Sequence, residues 1–213
     1  MSHYIGLCFG DYWENDLERY YEGLEVDPYI KYTKEEAIQL AQKRHTERYD
    51  EIDKMLDKDS LDKDQLDRYN KILSKGPSLS YEQAWEHVKS WGYKLDKDEN
   101  LVSTYNPDSK WDWYEIGGRW SGFLVLKERN KDGGIQETNE ARFDEIDWDY
   151  MKEHRYSPFC FIDENGDWHE KGEMGWFGMS FNDMSDDSWD KCYEDFLKEV
   201  DPTCYVTVID FHI

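Results

Sequence analysis

The chain has 213 residues, and 49 Asp and Glu against 26 Lys and Arg give it a formal net charge of −23. Charge of that size with few aliphatic side chains favours disorder, but ten Trp and sixteen Tyr supply the apolar area that a core needs. The composition therefore predicts a folded acidic protein. It excludes a membrane-spanning helix, because no apolar run approaches the ~20 residues that crossing requires.

The acidic excess is uneven, with a net of −8 over 11–70, −1 over 71–139 and −13 over 140–201. Charge at this density repels phosphate backbones and argues against direct nucleic-acid binding. The N-terminus has neither a basic region nor a long apolar stretch. Cys8, Cys160, Cys192 and Cys204 have no CxxC spacing. The expectation is a cytoplasmic protein with reduced core thiols and neither metal nor cofactor.

In chain order, residues 3–9 read as a buried strand, apolar throughout. Thr33-Lys-Glu-Glu36 is a capping box, in which the Thr33 hydroxyl and the Glu36 carboxylate each accept an otherwise orphaned backbone N–H. Ile38, Ala41, His45, Tyr49, Ile52 and Leu56 then recur at helical spacing. Ser60 can cap a second helix carrying Leu66, Tyr69, Ile72 and Leu73, so 33–75 reads as a helical hairpin inserted into a single 1–213 domain. A second capping box, Ser80-Tyr-Glu-Gln83, opens a helix through Ala84, Trp85 and Val88.

Strand signals follow at 122–128 and on both sides of the Asn165-Gly166 turn. A helix starting at Ser185 or Asp186 places Trp189, Cys192, Tyr193, Phe196 and Leu197 on one face, and 205–211 is the clearest strand. Strands and helices run in separate blocks, which predicts an α+β fold. Its mainly antiparallel sheet has the two terminal strands as neighbours, with helices packed on it. On neighbouring strands His3 and His212 could approach each other or His169, and a pair of imidazoles near Glu173 could bind metal or do acid–base work; the competing reading is an ordinary structural or exposed role for each.

The most specific stretch is 105–123, with six aromatic residues. It places Trp111, Asp112, Trp113 and Tyr114 just before Gly117, Gly118, Arg119 and Trp120. Aromatic walls, an arginine oriented by Asp112 and glycine N–H groups would together suit a planar, anionic, nucleotide-like small molecule. The competing reading is plain core packing, with Trp111 and Trp113 on one strand face.

Asn106-Pro-x-Ser-Lys-Trp-Asp-Trp-Tyr-x-Ile-Gly-Gly-Arg-Trp120 resembles a motif of an uncharacterised family of phage, prophage and bacterial proteins. The opening strand, the 33–37 segment, residues 168–178 and the Val208–His212 ending are similar too. The resemblance implies a phage or mobile-element context but no catalytic residues. Two functions are expected from these readings. One is an interaction protein that inhibits a host protein with a basic surface, docking through Asp183, Asp186, Asp187, Asp190, Glu194 and Asp195. The alternative is a small-ligand binder or enzyme built on Trp111, Trp113, Arg119 and Trp120.

Overall fold

The structure is a computed structural model and describes residues 2–55, 61–154, 156–175 and 179–213. The chain opens with β1 (His3–Phe9) and α1 (Trp13–Glu18). It continues through β2 (Glu25–Tyr32), α2 (Lys34–Asp53), α3 (Lys63–Leu73), α4 (Tyr81–Lys89), β3 (Lys94–Leu95) and β4 (Leu101–Tyr105). After them come β5 (Trp113–Ile116), β6 (Leu124–Arg129), β7 (Ile135–Thr138), β8 (Glu140–Arg142) and α5 (Trp148–Glu153). The remainder is β9 (Cys160–Ile162), β10 (Trp168–Glu170), β11 (Glu173–Met174), β12 (Ser180–Phe181), α6 (Asp186–Leu197) and β13 (Tyr205–His212). Helices and mainly antiparallel sheets make this an α+β fold. Among the described residues no helix is long and apolar enough to cross a membrane.

Two compact units result, one formed by 1–25 with 105–213 and the other by 26–104. The second unit packs α2 and α4 around Ala37, Ile38, Ala41, Leu79, Ala84, Trp85, Val88 and Leu101, beside a sheet of order β2-β4-β3. Both expected capping boxes close, at Thr33–Glu36 and Ser80–Gln83. Ile38, Ala41 and Ile52 are buried, as their spacing requires, while Leu56 and Ser60 lie outside the described residues. The cap of α3 is Asp62, whose side chain accepts the Gln65 N–H at 2.8 Å. Arg48 lies over the Tyr69 ring and ties α2 to α3.

The first unit is built on a sheet of order β10-β9-β1-β13-β5, and β8 also pairs with β13. β1 and β13 run antiparallel from His3↔His212 to Phe9↔Val206, so the terminal strands are neighbours. The exception to antiparallel pairing in this sheet is β1 with β9. β13 changes partner midway, from β8 at Tyr205–Thr207 to β5 at Ile209–His212.

The sheet has apolar layers on both faces, which is why β1 is apolar throughout rather than alternating. On one face Ile5, Leu7, Phe9, Val206 and Val208 meet Met151 of α5 together with Trp189 and Tyr193 of α6. On the other, Tyr4, Cys8, Cys160, Ile209 and Phe211 meet Trp13 and Leu17 of α1. Cys8, Cys160 and Cys204 are buried free thiols, and burial raises all three, Cys204 to about 12. They are core groups, not activated nucleophiles.

The β9–β10 turn is organised by Asp163. Its Oδ1 accepts the backbone N–H of Asn165 at 2.9 Å and of Asp167 at 3.0 Å, while Oδ2 meets His169 Nε2 at 3.0 Å. Burial pushes this carboxyl upward, but the His169 and backbone hydrogen bonds outweigh it and hold it below the usual carboxylate range. A depressed native pKa stabilises the fold above the ordinary Asp value of about 4, and the benefit disappears as pH falls through the native value. Asp163→Asn should therefore lower stability at pH 7, with a gap to wild type that narrows on acidification. Urea unfolding at pH 7 and pH 3 checks this, and an equal gap at both would contradict it.

Candidate functional site

The segments singled out in the sequence meet at one end of the first unit's sheet. Ser2 and Ile213 exchange both backbone hydrogen bonds at 3.1 Å. The adjacent His3↔His212 pair is therefore the non-hydrogen-bonded kind, in which side chains stand closest. The two imidazole centroids are 4.9 Å apart. β5 adds Trp113 opposite His212, and the indole stacks on that ring at 5.1 Å while meeting His3 edge-on at 5.4 Å.

Each imidazole has its own carboxylate. His3 Nδ1 lies 2.9 Å from Asp210 Oδ1, and His212 Nδ1 lies 2.5 Å from Asp112 Oδ1. Asp210 is only 1% exposed, and its second oxygen accepts the Arg119 backbone N–H at 3.0 Å. A carboxylate has no proton to donate, so each Nδ1 carries the hydrogen of its pair. His212 Nε2 is buried with no hydrogen-bond partner among the described residues.

Gly118 explains how Asp210 is held. Its φ is +46°, and a Cβ there would lie 2.5 Å from both Cβ and Oδ2 of Asp210. Only a glycine lets the 117–119 turn come close enough for the Arg119 N–H to reach the carboxylate.

The eight ligand residues expected from the sequence divide. Asp112, Trp113, Gly118 and Arg119 gather around the His3–Asp210 and His212–Asp112 pairs. Trp113 is 43% exposed, and the exposed Arg119 guanidinium makes no hydrogen bond or ion pair with the described residues. Trp111 and Tyr114 pack on the opposite face with Trp13 and Phe211. Trp120 packs on the cluster around Val206 and Val208.

Three local expectations are corrected. Trp111 and Trp113 do not share a face, because the strand begins only at Trp113. Trp111 is instead bridged to Tyr21, with its Nε1 donating to the Leu17 carbonyl at 3.1 Å. Asp112 orients His212 rather than Arg119. The Gly117 N–H is spent on the Val208 carbonyl at 2.8 Å, and the residue is packed onto Asn139, so it offers no donor to a ligand.

The acidic residues expected to dock on a basic surface lie on α6 and just before it. Lysines of the same chain neutralise three of the six, through Lys171–Asp186, Lys152–Glu194 and Lys198–Asp195. Asp186 and Asp187 occupy the first turn of α6, where negative charge is favoured by the helix dipole. Asp183 accepts the Ser180 hydroxyl at 2.5 Å, and Asp190 is half-buried.

Asp210 is the functional candidate that the sequence reading missed. An acid flanked by Val206, Val208, Ile209 and Phe211 in an otherwise apolar strand was the available signal. No group of three or more His, Cys, Asp or Glu among the described residues converges as a metal ion would require. No protein-family model, curated protein or solved structure matches the chain. The functional reading therefore rests on this geometry.

Proposed function

We propose that the His3–Asp210 end of the sheet binds a small, anionic, ring-bearing molecule of the nucleotide type, with His3 Nε2 handling a proton of that ligand. The observation that carries this reading is the held carboxylate. One Asp210 oxygen fixes the His3 tautomer while the other is fixed by the Arg119 backbone. Arrangements of this kind set an imidazole to accept a proton from a hydroxyl or water and to return it. The Trp113 indole offers a stacking surface, and the Arg119 guanidinium offers five donors for an anionic group. Docking on a basic host protein is the less favoured reading, because the intrachain lysines already engage half of the acids it would use.

A panel of nucleoside mono-, di- and cyclic phosphates is the test, read by thermal stabilisation and tryptophan quenching. At least one member should raise the melting temperature and quench emission. Arg119→Ala and Trp113→Ala should each weaken that response about tenfold or more, with circular dichroism unchanged. No response across the panel, or an undiminished one in Arg119→Ala, would overturn the proposal.

A further inference from the structure

β5 ends the first unit's sheet and pairs there with β13 alone. Ser2 and Ile213 exchange backbone hydrogen bonds across β1 and β13, so His212, Asp210 and Val208 turn their backbone groups towards β5. Trp113 and Glu115 stand opposite His212 and Asp210, and the Gly117 N–H reaches the Val208 carbonyl at 2.8 Å. By alternation the N–H and C=O groups of Tyr114 and Ile116 point away from the sheet. Neither residue makes a backbone hydrogen bond on that side with the described residues.

An open edge is a template for another strand, and proteins commonly blunt theirs with proline or lysine. β2, at the edge of the second unit's sheet, carries Pro28 and Lys31. β5 carries neither. Its one charge is Glu115, which is exposed and makes no ion pair with the described residues. Alternation places Tyr114 and Ile116 on the other side of the strand from Glu115. There Tyr114 extends the aromatic layer of Trp13, Trp111 and Phe211, and Ile116 is exposed opposite Ile209.

Charge decides between occupants. A second copy, paired antiparallel through the same groups, would set Tyr114 against Ile116 and Glu115 against Glu115. That places like charges directly opposite, between two chains of net charge −23. A cationic segment meets the reverse condition, attracted by Glu115 at contact and by the whole chain at a distance. We infer that β5 takes up an extended segment of a partner protein as one more strand, with apolar side chains covering Tyr114 and Ile116 and a Lys or Arg facing Glu115. This edge is separate from the acids of α6, and its role does not depend on the ligand proposed beside His3.

The test titrates the full chain into a fluorescent peptide of alternating Val and Lys, read by fluorescence anisotropy. Its controls are an alternating Val and Glu peptide, a scrambled Val and Lys peptide, and the first peptide N-methylated at its Val amides. The first peptide should bind about tenfold or more tightly than each control. Glu115→Lys should weaken it about tenfold and tighten the Val and Glu peptide. Ile116→Pro deletes an outward N–H but no bond to β13, so it should abolish binding with the melting temperature little changed. Glu115→Lys carries the test should Ile116→Pro fail to fold. The inference is overturned if the scrambled or N-methylated peptide binds as tightly as the first, or if Glu115→Lys or folded Ile116→Pro binds like wild type. A dimer in sedimentation that Ile116→Pro disperses would also overturn it, by giving the edge to a second copy.

Discussion

Trp189→Ala should destabilise the protein by about 3–5 kcal/mol, the range for removing a large aromatic side chain from a packed core. Trp189 is 2% exposed and lies at the centre of the cluster joining α6 to the sheet. Its ring packs against Phe161 at 5.6 Å, so its removal opens a cavity beside β9. The change also removes the indole that donates to the Pro158 carbonyl. Total stabilities of domains are about 5–15 kcal/mol, so this one side chain carries a large share. Urea unfolding followed by circular dichroism measures the effect. Trp189→Phe should fall between wild type and Ala, because it restores ring volume but not the hydrogen bond. A loss under about 1 kcal/mol for Trp189→Ala would mean that aromatic packing is not what holds this acidic chain together.

The second large effect is expected at Gly118. A methyl group there meets Asp210 at 2.5 Å, and the residue must also keep a positive φ. Gly118→Ala should therefore cost about 1–3 kcal/mol from overpacking in addition to about 1–2 kcal/mol of backbone strain. Its functional effect should be larger than its effect on stability. Displacing Asp210 breaks the hydrogen bond that orients His3 and the one that receives the Arg119 N–H, so the ligand response should drop by more than tenfold. Gly133→Ala separates the two causes. Gly133 has φ of +83° with nothing within 4 Å of the added Cβ, so it carries strain without the clash. Equal losses of stability and ligand response in the two variants would show that Gly118 does not position Asp210.

Most of the architecture was legible because it is encoded locally. The apolar runs at 3–9 and 205–211 have enough length and hydrophobicity to be buried strands, and their position at the chain ends makes pairing natural. Thr33–Glu36 and Ser80–Gln83 are cap chemistry that needs no tertiary information. The start of α3 is ambiguous in sequence because Ser60 and Asp62 are both good caps, and only Asp62 has Gln65 three residues ahead to complete a capping box.

The site was legible in part. The approach of His3 to His212 follows from strand pairing, and the 111–120 motif supplied Asp112, Trp113, Gly118 and Arg119. What could not be read was which aromatic belongs to which face. That depends on Tyr21 holding Trp111 away from the strand that starts at Trp113. Asp210 counted in the sequence as one more negative charge, because its burial is set by the turn at Gly118, far away in the chain.

In the proposed function His3, oriented by Asp210, is the group that meets a ligand. Nitrogen-15 spectra of the protein labelled in its histidine rings test it most directly, because six histidines give a resolvable set. His3 should show a hydrogen on Nδ1 and a free Nε2. Adding the stabilising nucleotide should shift the His3 Nε2 resonance while leaving His45, His87 and His154 unmoved. If His3 carries its hydrogen on Nε2, or does not respond to a nucleotide that stabilises the protein, the account is contradicted.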